Sequence, residues 1–287
     1  MKRTREITST SGDVSSGTGV LTVNLEKGFD IAALFLSQPT TGSFTLAQIG
    51  RVETFLGGDS IQHFKSGTDL DAFNQSQGIP AFAALGDVLC IPYSRFNTRD
   101  RAFEDTTMLP YDGTVVPSLY TEIEFVGATT PRWSGGHGPK MLADTPVSSS
   151  RIGGQILRVF QTSAILASGV IKVLGDLPIG KGRTGHGLLE KLLFVQGAGT
   201  VSNVDVELDQ VRWARRTNVE DIAIKATQGH PALPAYYSYG VDATESGTPD
   251  DLDLSSYTTS DGKLVVNATS TVAETVPVVA VFAGPVK

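Results

Sequence analysis

One order of structural elements occurs twice along the chain, and this duplication constrains the fold more than any other feature. Each copy has a strand, a Gly-containing turn, a second strand, a polar link and a short helix. In the first half these elements lie at Ile31–Ser37, Thr41–Ser43, Ile49–Leu56 and Thr68–Leu70, and in the second half at Leu188–Val195, Gly197–Gly199, Val204–Leu208 and Val219–Ile222. The offset of roughly 150 residues makes each copy a whole domain rather than one unit of a solenoid. Two unrelated all-β halves with a similar rhythm of turns would give the same pattern, so that alternative stays open.

Short β-rich segments separated by Gly, Pro, Asn, Asp and Ser predict an all-β fold, either a sandwich or a barrel. Apolar and polar residues alternate in Leu21–Leu25 and Val204–Leu208, as expected for strands with one buried face. The predicted strands are Gly19–Leu25, Ile31–Ser37, Ile49–Leu56, Asp87–Pro92, Leu119–Val126, Gln155–Thr162, Leu188–Val195, Val201–Leu208, Lys263–Asn267 and Val276–Phe282. The two predicted helices are Gly67–Asn74, capped by Thr68 or Asp69, and Asn218–Ala226, capped by Asn218.

The domain boundaries follow from a segment rich in Pro, Gly and Ser between the two copies. Residues 129–154 have this composition, which is typical of a linker. The chain is therefore predicted to have a flexible basic arm at residues 1–18, a first domain at 19–128, the linker at 129–154 and a second domain at 155–287.

The composition favours a soluble protein whose surface is partly covered by neighbours. Hydrophobic residues make up 40% of the 287 residues, and charged residues only 18%, below the roughly 25% usual for globular proteins. The net charge of −7 argues against a sequence-wide nucleic-acid binder, which needs a basic face. Cys90 is the only cysteine, which excludes an intrachain disulfide and predicts a small buried core residue. No signal peptide or membrane-spanning run is present, so synthesis in a cytoplasm is expected.

The second copy contains a specific order of residues, namely Asp176-Leu177-Pro178, Leu188–Val195, Gly197, Val204–Asp209 and Arg212-Trp213. This order resembles the second barrel of corticovirus major capsid proteins, in which a Leu-Pro pair leads to two core strands and a short loop ending in a basic residue and a Trp. The first copy is similar to the first barrel of that family at Gly28, Ile31–Leu36, Gly42, Arg51-Val52-Glu53, Gly57-Gly58 and Asp69-Leu70. The resemblance covers roughly residues 19–126 and 155–285.

The resemblance implies two eight-stranded jelly rolls side by side in one chain. It further implies a viral major capsid protein whose homotrimers form pseudo-hexagonal capsomers and tile an icosahedral shell over an internal membrane. The expected partners are neighbouring capsomers, penton and spike proteins and membrane lipids, without sequence-specific nucleic acid. The role is structural and the location is the virion, so we expect no enzyme activity, no catalytic residues and no cofactor.

Two clusters of charged residues are candidate sites. Asp250, Asp251 and Asp253 form an acidic loop that could hold a calcium ion, although a solvated loop explains the same residues. Arg212, Trp213, Arg215 and Arg216 are interpreted as an interface loop because Arg and Trp are frequent interface anchors. Stacking on a nucleic acid is the alternative for this second cluster.

The N-terminal residues Lys2, Arg3 and Arg5 are the third candidate site. They precede a Ser/Thr/Gly stretch, and we interpret them as an arm that reaches anionic lipid headgroups. A disordered start without a partner is the alternative.

Enzymatic motifs find no support in the sequence. The histidines His63, His137, His186 and His230 have no metal-ligand spacing, and Gly180–Gly185 lacks the order of a phosphate-binding loop. Two rival functions remain. One is a spike or other minor virion β-protein, and the other is a carbohydrate-binding β-sandwich, for which the aromatic residues of a predicted loop at Tyr236–Tyr239 are the only support.

Overall fold

A computed structural model describes residues 5–8, 19–95, 108–111, 116–127, 131–133, 138–144, 155–168, 172–173, 188–197, 199–208, 211–227, 236–240, 252–253 and 264–285. The chain divides into two compact units, one of residues 1–159 with 285–287 and one of residues 160–284. In the described residues strands far outnumber helices, which confirms the predicted all-β fold.

In its described residues the first unit contains two sheets and one α-helix. Its strands are β1 (Arg5–Thr8), β2 (Gly19–Asn24), β3 (Phe29–Leu36), β4 (Ile49–Leu56), β5 (Asp59–Phe64), β6 (Leu89–Pro92), β7 (Leu109–Tyr111), β8 (Leu119–Phe125) and β9 (Pro139–Asp144). Helix α1 (Gly67–Ser76) and the 3-10 helices Leu46–Gln48 and Phe82–Leu85 lie between them. One sheet has the order β1-β9-β3-β6, with β7 also on β3, and the other runs β5-β4-β8-β2. Strand β10 (Gln155–Leu166) begins in this unit and ends in the second.

The second unit repeats the same kinds of element. Its elements are β11 (Lys172–Val173), β12 (Leu188–Val195), β13 (Val201–Leu208), β14 (Val211–Thr217), α2 (Asn218–Thr227), β15 (Tyr236–Gly240), β16 (Leu252–Asp253), β17 (Leu264–Ser270) and β18 (Glu274–Pro285). One sheet has the order β11-β17-β13-β14. In the other, β12 lies between β15 and β18 and also pairs with β16.

The core of each unit follows from the side-chain pattern of its strands. Strand β8 alternates strictly, with Leu119, Thr121, Ile123 and Phe125 buried, because successive residues of a strand face opposite sides of the sheet. Aromatic rings fill the space beneath, and Phe125 packs edge-on against Phe44 with ring centroids 5.6 Å apart. In the second unit the residues of β18 from 278 to 283 are all buried, as expected for a strand covered on both faces.

Both described α-helices begin with a hydroxyl residue that accepts a hydrogen bond from the N–H three positions later, which supports the duplication. In α1, the Ser66 hydroxyl accepts from the Asp69 N–H at 3.1 Å and donates to the Asp69 carboxylate at 2.6 Å. Before α2, Thr217 accepts from the Glu220 N–H at 3.3 Å, and its own N–H donates to the Glu220 carboxylate at 2.8 Å. The hydroxyl satisfies a free N–H group of the first turn in both helices, and before α2 the Glu220 carboxylate also satisfies the Thr217 N–H. The caps therefore lie before the predicted positions Thr68, Asp69 and Asn218.

A glutamine closes the turn after the first repeated strand in both units. Gln38 follows β3, accepts from the Phe44 N–H at 3.1 Å and donates to the Phe44 carbonyl at 2.9 Å. Gln196 follows β12 and accepts from the Val201 N–H at 3.0 Å. These side chains replace missing backbone partners within each turn, so the two copies share their hydrogen bonding as well as their order of elements.

Four predicted loops or flexible segments contain strands instead. Strand β9 lies within the predicted linker 129–154, and β1 lies within the predicted arm 1–18, where they pair with each other from Arg5↔Ala143 to Thr8↔Lys140. The predicted Arg212–Trp213 loop is part of β14, and the predicted tyrosine loop is β15. Strands β1, β9 and β15 each pair with a strand distant in sequence, which the local pattern does not reveal, whereas β14 pairs with β13, the strand that precedes it along the chain. The domain boundaries drawn from the linker composition stay predictions.

Candidate functional site

The exposed side of the β5-β4-β8-β2 sheet presents a continuous polar and aromatic surface, here called the outer face. It consists of every second residue of these strands, because the residues between them point into the core. Its members are Val20, Thr22 and Asn24 on β2, Arg51, Glu53 and Phe55 on β4, His63 on β5, and Tyr120, Glu122 and Glu124 on β8.

Arg51 holds three carboxylates together on the outer face. Glu53 and Glu122 lie directly opposite each other on β4 and β8, where two like charges would destabilise the sheet. The Arg51 guanidinium contacts Glu53 at 2.7 Å, Glu122 at 3.1 Å and Glu124 at 3.8 Å. Because the Arg51 side chain is 36% exposed, water screens these pairs, and each contributes at most about 1 kcal/mol. The cluster orders side chains on a surface that keeps a net negative charge.

His63 lies opposite Glu53 on β5 and is half-buried. Burial lowers the pKa of the imidazole, and the Arg51 and Lys65 charges lower it further, whereas Glu53 raises it. The lowering effects prevail, so the imidazole is neutral near pH 7.

An aromatic pair continues the outer face beyond the charged cluster. The rings of Phe55 and Tyr120 stack with centroids 5.0 Å apart and planes inclined by 19°, and the two residues are directly opposite in the β4–β8 register. Both are half-buried. Stacked aromatic residues that remain partly open are typical of surfaces that contact other macromolecules.

Beneath the outer face, three buried hydroxyls fasten β4 and β8 to the chain after β6. Thr121 lies 3.0 Å from the Thr54 hydroxyl and 2.6 Å from the Tyr93 phenol oxygen. Burial raises the pKa of the Tyr93 phenol, and the hydrogen bonds with Thr121 and Thr54 oppose that rise. The network holds the outer face in position because its members are shielded from water.

In the second unit, Glu274 joins the turn after β12 to the turn before β18. Its carboxylate accepts from the Gly199 N–H at 3.1 Å and from the Ser270 hydroxyl at 3.0 Å. A Cβ atom on Gly199 would lie 2.4 Å from Val272 and 2.7 Å from Glu274. Only glycine therefore allows this close approach without displacing side chains.

The structure places the predicted interface residues on a strand at the end of its sheet. Strand β14 pairs only with β13 in the described part of the chain, with Arg212 opposite Glu207, Arg215 opposite Asp205 and Arg216 opposite Val204. Trp213 belongs to the same strand. The predicted interface is therefore a strand and not a loop, and acidic residues of β13 lie opposite two of its arginines.

The other predicted sites fall largely outside the described residues. Asp253 is the last residue of β16, opposite Leu188, and Arg5 is the first residue of β1, opposite Ala143. Asp250, Asp251, Lys2 and Arg3 lie outside the described residues, as do His137, His186, His230 and the segment Gly180–Gly185. The acidic loop and the basic arm therefore stay predictions.

Sequence reasoning missed the outer face. The signal was present in the alternation of Tyr120, Glu122 and Glu124 with apolar residues, but the register that brings Arg51 beside them is a tertiary property. No group of three or more His, Cys, Asp and Glu side chains in the described ranges could hold a metal ion. Among the described residues, α1 and α2 are too short to cross a bilayer, and so are the 3-10 helices.

Comparison with known proteins identifies the first half of the chain. Residues 4–146 match the family model of the viral coat protein P2 N-terminal domain. No curated protein is significantly similar in sequence.

Solved structures resemble the whole chain. The major capsid protein P2 of bacteriophage PM2 is 17% identical with a TM-score of 0.70, over 98% of this chain and 96% of that chain. The major capsid protein (MCP) of Sulfolobus Turreted Icosahedral Virus (STIV) is 12% identical with a TM-score of 0.62, over 98% of this chain and 95% of that chain. The PBCV-1 virus capsid protein is 10% identical with a TM-score of 0.58, over 97% and 92%. At such identities the likeness establishes the fold, which confirms the predicted pair of jelly rolls in one chain.

Proposed function

This chain belongs, through residues 4–146, to the viral coat proteins of the P2 family, and from that premise we propose that it is the major tile of an icosahedral shell. As a coat protein it is located in the virion capsid, and its role is structural. Three copies form a closed trimer of pseudo-hexagonal outline, and many trimers cover the shell.

One observation carries the proposal. A coat-protein domain occupies the first half of the chain. The second half has the same order of elements, a hydroxyl cap before its helix and a glutamine that bonds across the turn after its first repeated strand. Three copies of a chain with two similar units present six similar units around one axis. A trimer of this kind can pack like a hexagon, and closed cyclic symmetry is the usual outcome for homo-oligomers.

The arginine-rich strand β14 is proposed as a contact with a neighbouring subunit. It ends a sheet, and Arg212, Trp213, Arg215 and Arg216 follow one another closely along it. Arg and Trp are favoured as interface anchors because they combine a large contact area with hydrogen-bond donors. Neighbouring trimers and other virion proteins such as penton and spike are the proposed partners, without sequence-specific nucleic acid.

The basic N-terminal residues are proposed to lie near an internal membrane. Lys2 and Arg3 come shortly before β1, which begins at Arg5. Each basic residue close to an anionic bilayer gains about 1 kcal/mol. Replacing Lys2 and Arg3 by Gln leaves β1 unchanged, so unaltered binding of the assembled protein to anionic vesicles would exclude this role.

The acidic segment ending at Asp253 is proposed as a weak calcium site, with Asp250 and Asp251 as its other ligands. Carboxylate oxygens in close sequence are the preferred ligands of this ion. No catalytic residue or organic cofactor is proposed, and synthesis is proposed to take place in the host cytoplasm.

Native mass measurement together with electron microscopy tests the main proposal. We expect the purified chain to have three times the mass of the monomer and to show particles of pseudo-hexagonal outline. A stable monomer that binds an oligosaccharide would instead identify a carbohydrate-binding β-sandwich, and a trimer of elongated shape would indicate a spike.

A further inference from the structure

We propose that strand β2 is an assembly edge, where a second copy of this chain adds its own β2 in antiparallel orientation about a two-fold axis at Thr22. The inference rests on the proposed function as a shell tile, and it names a contact between tiles.

The backbone of β2 is open along one side. In the described part of the chain β2 pairs only with β8, in an uninterrupted register from Gly19↔Phe125 to Asn24↔Tyr120. The Leu25 N–H donates to the Leu119 carbonyl at 3.1 Å and continues that register. Hydrogen-bonded pairs recur at every second residue of an antiparallel ladder, so the odd-numbered residues of β2 bond to β8.

The even-numbered residues therefore point their backbone groups away from β8. Val20, Thr22 and Asn24 direct their N–H and C=O groups to the open edge, where no described residue bonds to them. The side chains of these three residues are also exposed, and that of Val20 is exposed by 48%. One row of residues thus offers both unpaired backbone and uncharged side chains.

The edge lacks the features that usually protect such strands. Terminal strands normally avoid pairing with other chains through charged residues, proline or bulges. Strands β14 and β6 each lie at the end of a sheet, and β14 has three arginines whereas β6 contains Pro92. Strand β2 has no charged residue, no proline and no register shift. A strand of this kind persists in a functional protein when another strand covers it.

A second copy fits because β2 is complementary to itself. Residues directly opposite in an antiparallel pair share a face, so buried Leu21 must lie opposite an inward residue of the second copy. An axis at Thr22 places Leu21 opposite Val23 of the second copy and Val20 opposite its Asn24. Every outward N–H and C=O group then has a partner, about six hydrogen bonds in all. A shift by two residues leaves some of these groups unpaired.

The neighbouring acids do not oppose this pairing. Glu122 and Glu124 lie one strand away from β2, so those of the two copies are separated by three strand spacings, about 14 Å. Charges at that distance are screened in physiological salt, where the Debye length is about 8 Å. Only Thr22 meets its own counterpart, and paired threonines on adjacent strands are favourable.

Symmetry determines which objects the contact joins. A two-fold contact uses the same patch on both partners and cannot occur within a simple three-fold ring. The β2 pair therefore links one trimer to the next, at a surface other than the contacts within a trimer.

Opposite charges at position 22 provide the test. Thr22→Lys and Thr22→Glu each place like charges on the axis, so we expect each variant alone to form trimers but to lose association between trimers by about tenfold or more. Mixing the two variants should restore association, because Lys then faces Glu. Ser43→Lys adds the same charge to an exposed turn and should assemble like the native chain. Native mass spectrometry measures trimer formation, and electron microscopy of the assembly reaction measures association between trimers.

Two outcomes overturn the proposal. Either the single variants assemble like the native chain, or they remain trimers and the mixture does not recover. The second outcome would mean that another segment of this chain or another virion protein covers the edge. If the native chain is not trimeric, the proposed function fails independently of the β2 contact.

Chemical cross-linking tests the position of the two-fold axis directly and does not depend on trimer formation. In Thr22→Cys, two thiols of paired chains lie close enough for a short bismaleimide to yield covalent dimers in assembled particles. Cys90 does not interfere, because it is buried and its pKa is raised to about 12. Ser43→Cys is the matched control, and equal dimer yields for the two variants would refute the axis at Thr22.

Discussion

The buried hydroxyl network of Thr54, Thr121 and Tyr93 makes a prediction that separates hydrogen bonding from packing. Thr121→Val keeps the shape of the side chain but removes the hydroxyl that contacts both others, at 3.0 and 2.6 Å. All three residues are essentially inaccessible to water. The variant therefore leaves two hydroxyls buried without their partner.

The expected magnitude follows from the cost of each such group. A buried donor or acceptor without a partner costs about 1–3 kcal/mol. Thr54 also lowers the pKa of Tyr93, so the two remaining hydroxyls can partly satisfy each other. We expect Thr121→Val to lower the free energy of unfolding by about 2–4 kcal/mol.

Removing the whole network should cost less than removing its centre. In the triple variant Thr54→Val, Thr121→Val, Tyr93→Phe, no hydroxyl is left without a partner and the shapes are nearly conserved. Replacing all partners by apolar groups of similar shape is close to neutral, so we expect a loss within about 1 kcal/mol of the native chain.

Guanidinium denaturation followed by tryptophan fluorescence measures the free energy of unfolding of the native chain, Thr121→Val and the triple variant. Trp133 reports on the first unit, because it is buried against Phe125 and donates to the Ser37 carbonyl at 2.9 Å. Thr22→Val on the exposed side of β2 is the matched control and should change little. A triple variant less stable than Thr121→Val would refute the reasoning and show that the hydroxyls stabilise the fold on balance.

Three further predictions concern other parts of the chain. Cys90→Ala should reduce the pH dependence of the free energy of unfolding at high pH. The thiol ionises above pH 9.0 in the unfolded chain but only near pH 12 in the folded chain, so the native protein loses about 1.4 kcal/mol of stability per pH unit between those values. Denaturation of the native chain and the variant at pH 8 and pH 10.5 measures the difference. Gly199→Ala should lower the free energy of unfolding by about 1–3 kcal/mol, because the new Cβ displaces Val272 and Glu274. Gly197→Ala should lower the unfolding temperature less, because its Cβ meets only one oxygen atom, at 2.9 Å. Arg51→Gln should cost about 1 kcal/mol at low ionic strength and less in 1 M salt, whereas Glu124→Gln, at 3.8 Å from Arg51, should have almost no effect at either.

The strands found correctly from the sequence are those whose pattern is local and strong. Strands β4, β12 and β13 have the predicted ends, because alternation or a continuous apolar run marks them and turn residues bound them. Strand β5 was missed, although Gly57 and Gly58 form the two-residue turn that leads into it, with φ of 61° and 94°. Its buried Gln62 obscured the alternation, and that residue is accommodated because its side chain donates to the Pro92 carbonyl at 2.7 Å.

The candidate surfaces were less predictable than the fold. The sequence pointed to Arg212, Trp213, Arg215 and Arg216 as a loop, whereas pairing with β13 makes them a strand. The basic arm and the acidic loop remain predictions. The outer face and the open edge of β2 were not anticipated, since both depend on which strands are neighbours and in which register.

The sequence by itself determined the all-β class, the duplication and its approximate offset, because strand alternation, turn chemistry and helix starts are properties of neighbouring residues. The tertiary structure alone decided which side chains meet across strands. Arg51 beside Glu122, Thr121 between Thr54 and Tyr93, and the unpaired side of β2 all arise from contacts between segments far apart in the chain. Register creates these contacts, and register follows from the packing of the whole sheet on its core.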